Sequence, residues 1–171
     1  MAVTTIGTRV WAAVTAALLG VLLLPSAGGA AAGDSLNGLG RLTLEGATMS
    51  FNVNARSGAA GEGASGTIRI ERTGVHTFDG IADVVCLRVN ENTATAVGRL
   101  REPVPNPNVP GTTYQYVLLW VTDNGPPGMA ADEINSGVVW GSPGGAGEPG
   151  CAGFVGGLPS EAGNLRVADS A

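Results

Sequence analysis

A single histidine, His76, is the side chain of this protein best suited to proton transfer near neutral pH, because an imidazole titrates there. A general base also needs a carboxylate that orients it and a reacting group within hydrogen-bond reach. Asp79 and Asp83 are near His76 in sequence, but no neighbouring pattern indicates a nucleophile. We favour a histidine at the start of a strand, near solvent, and we expect that the protein is not an enzyme.

Three short motifs match patterns known from enzymes. Residues 33–36 spell the Gly-Asp-Ser-Leu motif of one esterase family, whose chemistry needs a histidine held by an aspartate three residues before it. The chain contains no Asp-x-x-His sequence. Residues 61–66 and 145–150 both fit G-x-G-x-x-G, yet neither precedes a helix whose N-terminus could hold a phosphate. Because 28 glycines make such matches common by chance, we predict flexible loops there, no catalytic residue and no cofactor.

Acidic side chains flank one Gly/Pro-rich segment, with Asp123 and Asn124 before it and Asp132 and Glu133 after it. Oxygen ligands that converge there would suit Ca²⁺. The spacing differs from that of an EF-hand loop, and Asx residues beside glycine are usual in ordinary turns. We favour turns, expect no bound metal, and keep a calcium site as the alternative.

Aromatic side chains are concentrated in residues 114–122, where Tyr114, Tyr116 and Trp120 are spaced to share one face of a strand, with Trp140 as a further candidate. On an outward face they could stack on a sugar or an apolar ligand. Large aromatic residues are more often buried, so we favour a core position and keep the ligand face as the alternative.

Two cysteines, Cys86 and Cys151, predict one disulfide, because a pair of cysteines in an exported chain is usually oxidised. A zinc site would need more thiols or histidines than the chain offers. Cys86 lies in a strand-like run and Cys151 in a Gly/Pro-rich one. The bond would therefore tie a loop to the sheet.

The first 32 residues have the pattern of a signal peptide. Arg9 supplies a positive charge, residues 10–24 are an apolar run, and Ala30-Ala31-Ala32 provide an A-x-A cleavage site. The apolar run is shorter than the roughly 20 residues that cross a bilayer. We predict cleavage after Ala32 and one secreted, extracellular domain over residues 33–171.

The net charge is −5, and all nine basic residues are arginines. Loss of Arg9 with the leader would make the mature domain one unit more acidic. An acidic chain without a basic patch argues against nucleic acid as a partner. No later segment is apolar enough to span a bilayer, so we expect no membrane insertion after cleavage.

Alternation of apolar and polar residues predicts β-strands along the mature chain. The clearest example is 48–55, where Met49, Phe51, Val53 and Ala55 share one face. Residues 81–89 place Val85, Leu87 and Val89 together on one side. The full set of predicted strands is 41–44, 48–55, 66–72, 81–89, 93–101, 114–122, 134–140 and 165–167.

Glycine or proline interrupts nearly every stretch long enough for a helix after the leader. The predicted linkers are 57–64, 102–111, 124–131 and 142–163. About eight short strands with turns between them indicate a single antiparallel β-barrel or β-sandwich. We expect the last strand to pair with the first, because this pairing would shield an exposed edge.

Four segments carry a resemblance: DVVCLRVN (83–90), NTATAVG (92–98), VTDNG (121–125) and DEI (132–134). Together they resemble a group of small secreted actinobacterial β-rich proteins, and they are similar to segments of secreted modules of the post-COAP kind. The resemblance covers roughly residues 38–151. It implies an exported β domain and brings no activity, substrate or catalytic residue with it. The Gly/Pro-rich insertion around Cys151 departs from the pattern.

These observations lead to three hypotheses about function. The first is a secreted, non-enzymatic β domain that binds a partner or supports the cell surface. The second is a small-molecule carrier with its ligand inside a barrel, in a cavity lined by Phe51, Val53, Leu118 and Trp120. The third is a hydrolase with an unidentified site.

Overall fold

The computed structural model describes residues 33–44, 46–74, 77–106, 109–126, 130–141, 150–151 and 157–170. Within these residues the chain is all β, with no helix and hence none that could cross a membrane. The strands are β1 (Ser35–Leu44), β2 (Ala47–Arg56), β3 (Ser65–Thr73), β4 (Phe78–Asn90), β5 (Thr93–Pro105), β6 (Thr113–Thr122), β7 (Glu133–Gly141), β8 (Leu158–Pro159) and β9 (Ala162–Ala168). The predicted all-β class is confirmed.

The nine strands form one antiparallel sheet in the order β8-β7-β6-β5-β4-β3-β2-β1-β9. Strands β1 to β7 are a meander, in which each strand pairs with the next along the chain. Strands β8 and β9 lie at opposite edges, although only two residues separate them in sequence. The two edges must therefore approach each other, so the sheet curls into a barrel-like form. The predicted pairing of the last strand with the first is confirmed.

The inner side of the curled sheet is built by the alternation seen in the sequence. In β2, Phe51, Val53 and Ala55 are buried, while Asn52 and Asn54 are exposed. In β3, Ile68 and Ile70 are buried. The most deeply buried residues of this inner cluster come from all parts of the sheet: Leu36, Phe51, Val53, Ile68, Ile70, Leu87, Val117, Leu119, Val121, Ile134 and Leu165. A small barrel closed by side chains of this size has a packed interior.

A β-bulge between Val84 and Cys86 changes which residues of β4 face inward. Val84 and Leu87 both join the inner cluster, although they are three residues apart. Val85 lies instead against a second cluster on the outer face, so its predicted place beside Leu87 and Val89 is wrong. One extra residue in a strand reverses the side of every residue that follows it.

Glycines in β1 let neighbouring segments approach closely. Gly38 has a φ of +133°, and a Cβ there would overlap the backbone carbonyl oxygen of Asn164 on β9. At Gly40 a Cβ would collide with the side chain of Ile134, which belongs to β7. These two positions allow the first, seventh and ninth strands to come together where the sheet curls.

Candidate functional site

Cys86 on β4 is bonded to Cys151, with the two Cα atoms 5.8 Å apart, which confirms the predicted disulfide. The bond lies on the outer face of the sheet. Both cysteines pack against a cluster whose buried members are Val97, Tyr116 and Leu118. The disulfide therefore anchors the chain around Cys151 onto an apolar patch of β4, β5 and β6.

The aromatic residues of β6 do not share one face. Tyr116 is buried in the outer cluster, where Arg99 lies 5.7 Å from its ring centroid and donates a hydrogen bond of 3.3 Å to its hydroxyl. Tyr114 packs against the inner cluster, and its hydroxyl donates to Asn106 Oδ1 at 3.2 Å. The pairing of β6 with β5 and with β7 is irregular between these two tyrosines. This irregularity explains why Tyr114 and Tyr116 lie on opposite faces of the sheet. The single face that spacing predicted for Tyr114, Tyr116 and Trp120 is therefore wrong at Tyr114, whereas the core position that we favoured is confirmed for Tyr116.

Trp120 is half-buried on the outer side, since its neighbours Leu119 and Val121 both face the inner cluster. A Cβ built on Gly157 would lie 2.7 Å from the Trp120 ring, so the backbone at Gly157 passes over the indole. Trp140 pairs through its backbone with Tyr114, and its side chain lies outside the described part of the structure.

The cavity expected for an internal carrier is not formed by its four predicted residues. Phe51 and Val53 lie in the inner cluster, whereas Leu118 lies in the outer one. The sheet itself separates these two groups. A carrier would therefore need a different site.

The acidic groups considered for calcium hold the C-terminal strand. Asp132 accepts hydrogen bonds from the backbone N–H groups of Asn124 (3.1 Å) and Leu165 (2.9 Å). Asp123 accepts from Gly125 (2.8 Å) and Val167 (3.0 Å) in the same way. Each carboxylate therefore fixes the loop after β6 with one oxygen and β9 with the other. We call these two residues the carboxylate clamp.

Metal-ligating side chains do not gather in the described ranges, where no group of three His, Cys, Asp or Glu residues is placed to share an ion. Glu133 begins β7 and pairs with Pro159 through the backbone. Asp34, from the Gly-Asp-Ser-Leu motif, is buried and accepts hydrogen bonds from the N–H and the hydroxyl of Ser170. It anchors the C-terminus, while Ser35 begins β1.

The other sequence candidates are loops or lie beyond the described residues. Residues 61–64 lie in the turn between β2 and β3, and residues 65–66 begin β3. A hydrogen bond from the Gly58 N–H to the Glu62 carbonyl oxygen (2.8 Å) closes this turn. His76, residues 145–149 and the leader, residues 1–32, lie outside the described residues.

A groove opens where β4 and β5 separate. The two strands pair from Asn90 and Thr93 as far as Ala82 and Leu100, and there the pairing ends. Beyond this point Phe78–Ile81 continues to pair with β3, while β5 moves away and pairs with β6 again at Val104. The space between them has a volume of about 450 Å³. We call it the rim groove; it is lined by Arg69, Asp79, Gly80, Ile81, Arg101, Glu102, Pro103, Val104 and Pro105.

The rim groove carries two ion pairs beside its apolar side chains. Arg69 pairs with Asp79 at 2.8 Å and Arg101 with Asp83 at 2.7 Å, and all four side chains are about half exposed. The hydrogen bond from the Arg101 guanidinium lowers the pKa of Asp83, and the same bond raises the pKa of Arg101. Ile81 presents its side chain to solvent between these charges with 38% exposure.

Leucine from β5 closes the groove on its inner side. Leu100 is buried, and a Cβ built on Gly80 would lie 3.0 Å from its Cδ2 atom. Glycine at this position leaves room for the leucine beneath the separating strands. Leu100, which belongs to the inner cluster, therefore lies directly against Gly80 in the groove wall.

The geometry defines a small, curled, all-β domain with a disulfide on its outer face and a groove in its sheet. Comparison of the chain with protein-family models, with curated proteins and with solved structures finds no match.

Of the rim-groove residues, only Asp79 was singled out from the sequence, as a carboxylate near His76. The nearest signal is the Glu-Pro-Val-Pro sequence at 102–105, which we predicted to be part of a linker and which the structure places in β5. Proline inside an extended segment marks a place where a strand does not pair on one side. That signal indicates an unpaired edge but says nothing about the groove opposite it.

Proposed function

We propose that this chain is an exported, non-enzymatic binding domain, and that the rim groove takes up an extended peptide segment of a partner protein. One observation carries the proposal: the strand segment Phe78–Ile81 has a paired neighbour on one side only. A peptide that binds beside such a segment gains main-chain hydrogen bonds, which is recognition by strand addition.

The two walls of the groove offer different interactions. The β4 wall has a free backbone edge of four residues, which is about 13 Å of extended chain. The β5 wall contains Pro103 and Pro105, which lack an N–H group. A bound peptide would therefore pair with β4 and pack its side chains against the prolines.

The charges at the groove favour a peptide in which apolar and charged residues alternate. Ile81 offers an apolar contact, while Arg69 and Arg101 flank it with guanidinium groups. Each guanidinium has five N–H donors, and a single aspartate does not use all of them. Acidic or amide side chains of the peptide could accept from the donors that remain.

Export is part of the proposal, and two features support it. Residues 1–32 have the pattern of a cleaved leader. A disulfide between Cys86 and Cys151 is typical of proteins that fold in an oxidising compartment. The binding partner would then be another exported protein or a component of the cell surface.

The experiment is a selection of random displayed peptides on the protein recovered from culture supernatant. Selected peptides are measured by fluorescence anisotropy against wild type, Ile81→Glu and the matched control Leu39→Glu. Leu39 is also exposed on a strand, but it lies on β1, away from the groove. We expect binding at least about tenfold weaker for Ile81→Glu, since a charge would replace an apolar contact, and no change for Leu39→Glu.

Two results would reject this function. Equal binding to both variants would place the contact elsewhere, and a selection without any enriched peptide would remove the basis for strand addition. Mass spectrometry of the selected peptides after incubation separates binding from hydrolysis. Cleavage products would favour the hydrolase hypothesis instead.

A further inference from the structure

The sheet is interrupted at a second place, between its two edges. Strand β9 pairs with β1 only as far as Arg41, so residues 42–44 extend beyond it. Strand β8 pairs with β7 only at Glu133 and Ile134. Among the described residues, the rest of β7 has no strand partner on this side. The gap between these two unpaired segments contains a cleft of about 320 Å³.

This second opening, the seam cleft, is lined mainly by apolar side chains. Leu42 and Ile134 are buried at its base, where both belong to the inner cluster. Leu44 and Leu158 stand at its mouth, and each is 45% exposed. The complete lining is Leu42, Leu44, Met49, Ile134, Asn135, Ser136, Gly157 and Leu158.

Large exposed apolar residues are few in the described part of the chain: Leu39, Leu44, Ile81 and Leu158. Two of these four lie at the mouth of the seam cleft. An exposed leucine by itself needs no explanation, but two that flank one apolar depression form a continuous surface that water solvates poorly. Covering this surface with an apolar ligand would be favourable.

Two polar side chains line the cleft, Asn135 and Ser136, and the hydroxyl of Ser136 can orient a ligand. The hydroxyl of Ser136 donates to the sulfur of Met49 at 3.7 Å. A thioether sulfur is a weak acceptor, so the hydroxyl would gain by turning to a ligand oxygen. The cleft thus combines an apolar lining with two polar side chains, Asn135 and Ser136, which is the usual composition of a small-molecule site.

We propose that the seam cleft binds a small hydrocarbon molecule that carries one oxygen, such as a medium-length aliphatic alcohol or aldehyde. Its volume is at the lower end of the range for small-ligand sites, which is about 300–1,000 Å³.

The seam cleft and the rim groove are separate sites. The cleft is formed by β1, β2, β7 and β8, and the groove by β3, β4 and β5. The inference therefore goes beyond the proposed peptide-binding function, and a failure of either one leaves the other intact.

The test uses the protein recovered from culture supernatant and the uncharged fluorophore N-phenylnaphthylamine as the probe. Binding is followed by the rise in fluorescence, and displacement is measured with a series of straight-chain alcohols and the alkanes of equal length. The mouth variants Leu44→Gln and Leu158→Gln change exposed positions, so both should fold. The matched control is Leu39→Gln, which changes an exposed leucine outside the cleft.

We expect the two mouth variants to bind probe and alcohols at least about fivefold more weakly, because an apolar contact becomes polar, while Leu39→Gln binds as wild type does. Ser136→Ala keeps the apolar lining and should lose the preference for an alcohol over the alkane. The preference is a difference between two ligands, so a general loss of stability would not imitate this result.

Three outcomes would overturn the inference. Wild type could fail to bind the probe at any soluble concentration, or Leu39→Gln could lose as much affinity as the mouth variants. The third outcome is a dimer, seen by sedimentation of wild type and abolished by Leu158→Gln. It would show that a second copy of the chain covers the cleft.

Discussion

Removal of one carboxylate of the clamp, by Asp132→Ala, should weaken the closure of the curled sheet. Asp132 accepts from the N–H groups of Leu165 (2.9 Å) and Asn124 (3.1 Å), and its side chain is nearly buried. The amide of Leu165 is in a buried environment, so leaving it without an acceptor costs about 2 kcal/mol. The partly buried amide of Asn124 adds about 1 kcal/mol. We therefore expect the free energy of unfolding to fall by about 3 kcal/mol.

The measurement is urea unfolding followed by circular dichroism, with the disulfide intact. At a slope of about 1.5–2 kcal/mol per molar urea, the midpoint should move down by roughly 1.5–2 M. Amide hydrogen exchange gives a local readout, and the Leu165 amide should lose protection in the variant. The slope itself should not change, because the core that unfolds is the same.

The control is Asp79→Ala, which removes an aspartate from an ion pair that is about half exposed. Such pairs contribute less than about 1 kcal/mol, so its midpoint should stay close to that of wild type. If Asp132→Ala shifts the midpoint no further than this control, water satisfies the two amides. Pairing with β1 alone would then hold β9, and the clamp would have no stabilising role.

Three further variants test other parts of the account. Replacing both Cys86 and Cys151 by alanine removes a bond that links residues 65 positions apart in sequence. The free energy of unfolding, measured with urea, should fall by about 4 kcal/mol. Reduced wild type should have the same free energy of unfolding as this variant. A much smaller loss of stability would mean that the unfolded chain is compact even without the disulfide. Gly98→Ala places a Cβ 2.7 Å from a buried methyl group of β4 and should destabilise by about 1–3 kcal/mol; a neutral result would indicate a loosely packed interior. The hydrogen bond from Arg101 lowers the pKa of Asp83 in the folded protein. The stabilisation of the fold by this ion pair is therefore present above the pKa that Asp83 has in the unfolded chain, and it is lost as the pH falls through the lower pKa of the folded state. Arg101→Gln should raise the pKa of Asp83 in a ¹³C NMR titration, and an unchanged pKa would contradict the pairing.

Period-two alternation was sufficient to predict the strands that have no irregularity. Strands β2 and β3 differ from their predicted bounds by one residue at each end. In β2 the buried residues Phe51, Val53 and Ala55 are among those that alternation placed on one face. Alternation succeeds here because one face of a regular strand contacts the core and the other contacts water.

The same rule failed at the irregularities of strand pairing, where a strand has an extra residue, and at glycines, which have no side chain to show the alternation. The bulge after Val84 and the irregular pairing beside Tyr116 reverse inside and outside, and no residue type at either place signals the change. In β1 the prediction began only at residue 41, because Gly38 and Gly40 removed the apolar pattern from its first half. Those glycines are required by the close approach of Asn164 and Ile134, which are far away in sequence. A constraint imposed by such distant neighbours cannot be read from a local window.

The candidate binding sites were missed for a related reason: both are properties of pairing between strands. A strand can be predicted from its own residues, but the point at which two strands separate depends on register, bulges and the tilt of the whole sheet. Pro103 marks one such point, since it cannot donate to a partner strand. At the seam, the only local trace is two leucines, Leu44 and Leu158, that lie more than a hundred residues apart in sequence and meet at one cleft. We therefore expect this domain to bind its ligands where the sheet is interrupted. At these places, backbone groups and apolar side chains face solvent, whereas in a regular sheet a neighbouring strand would cover them.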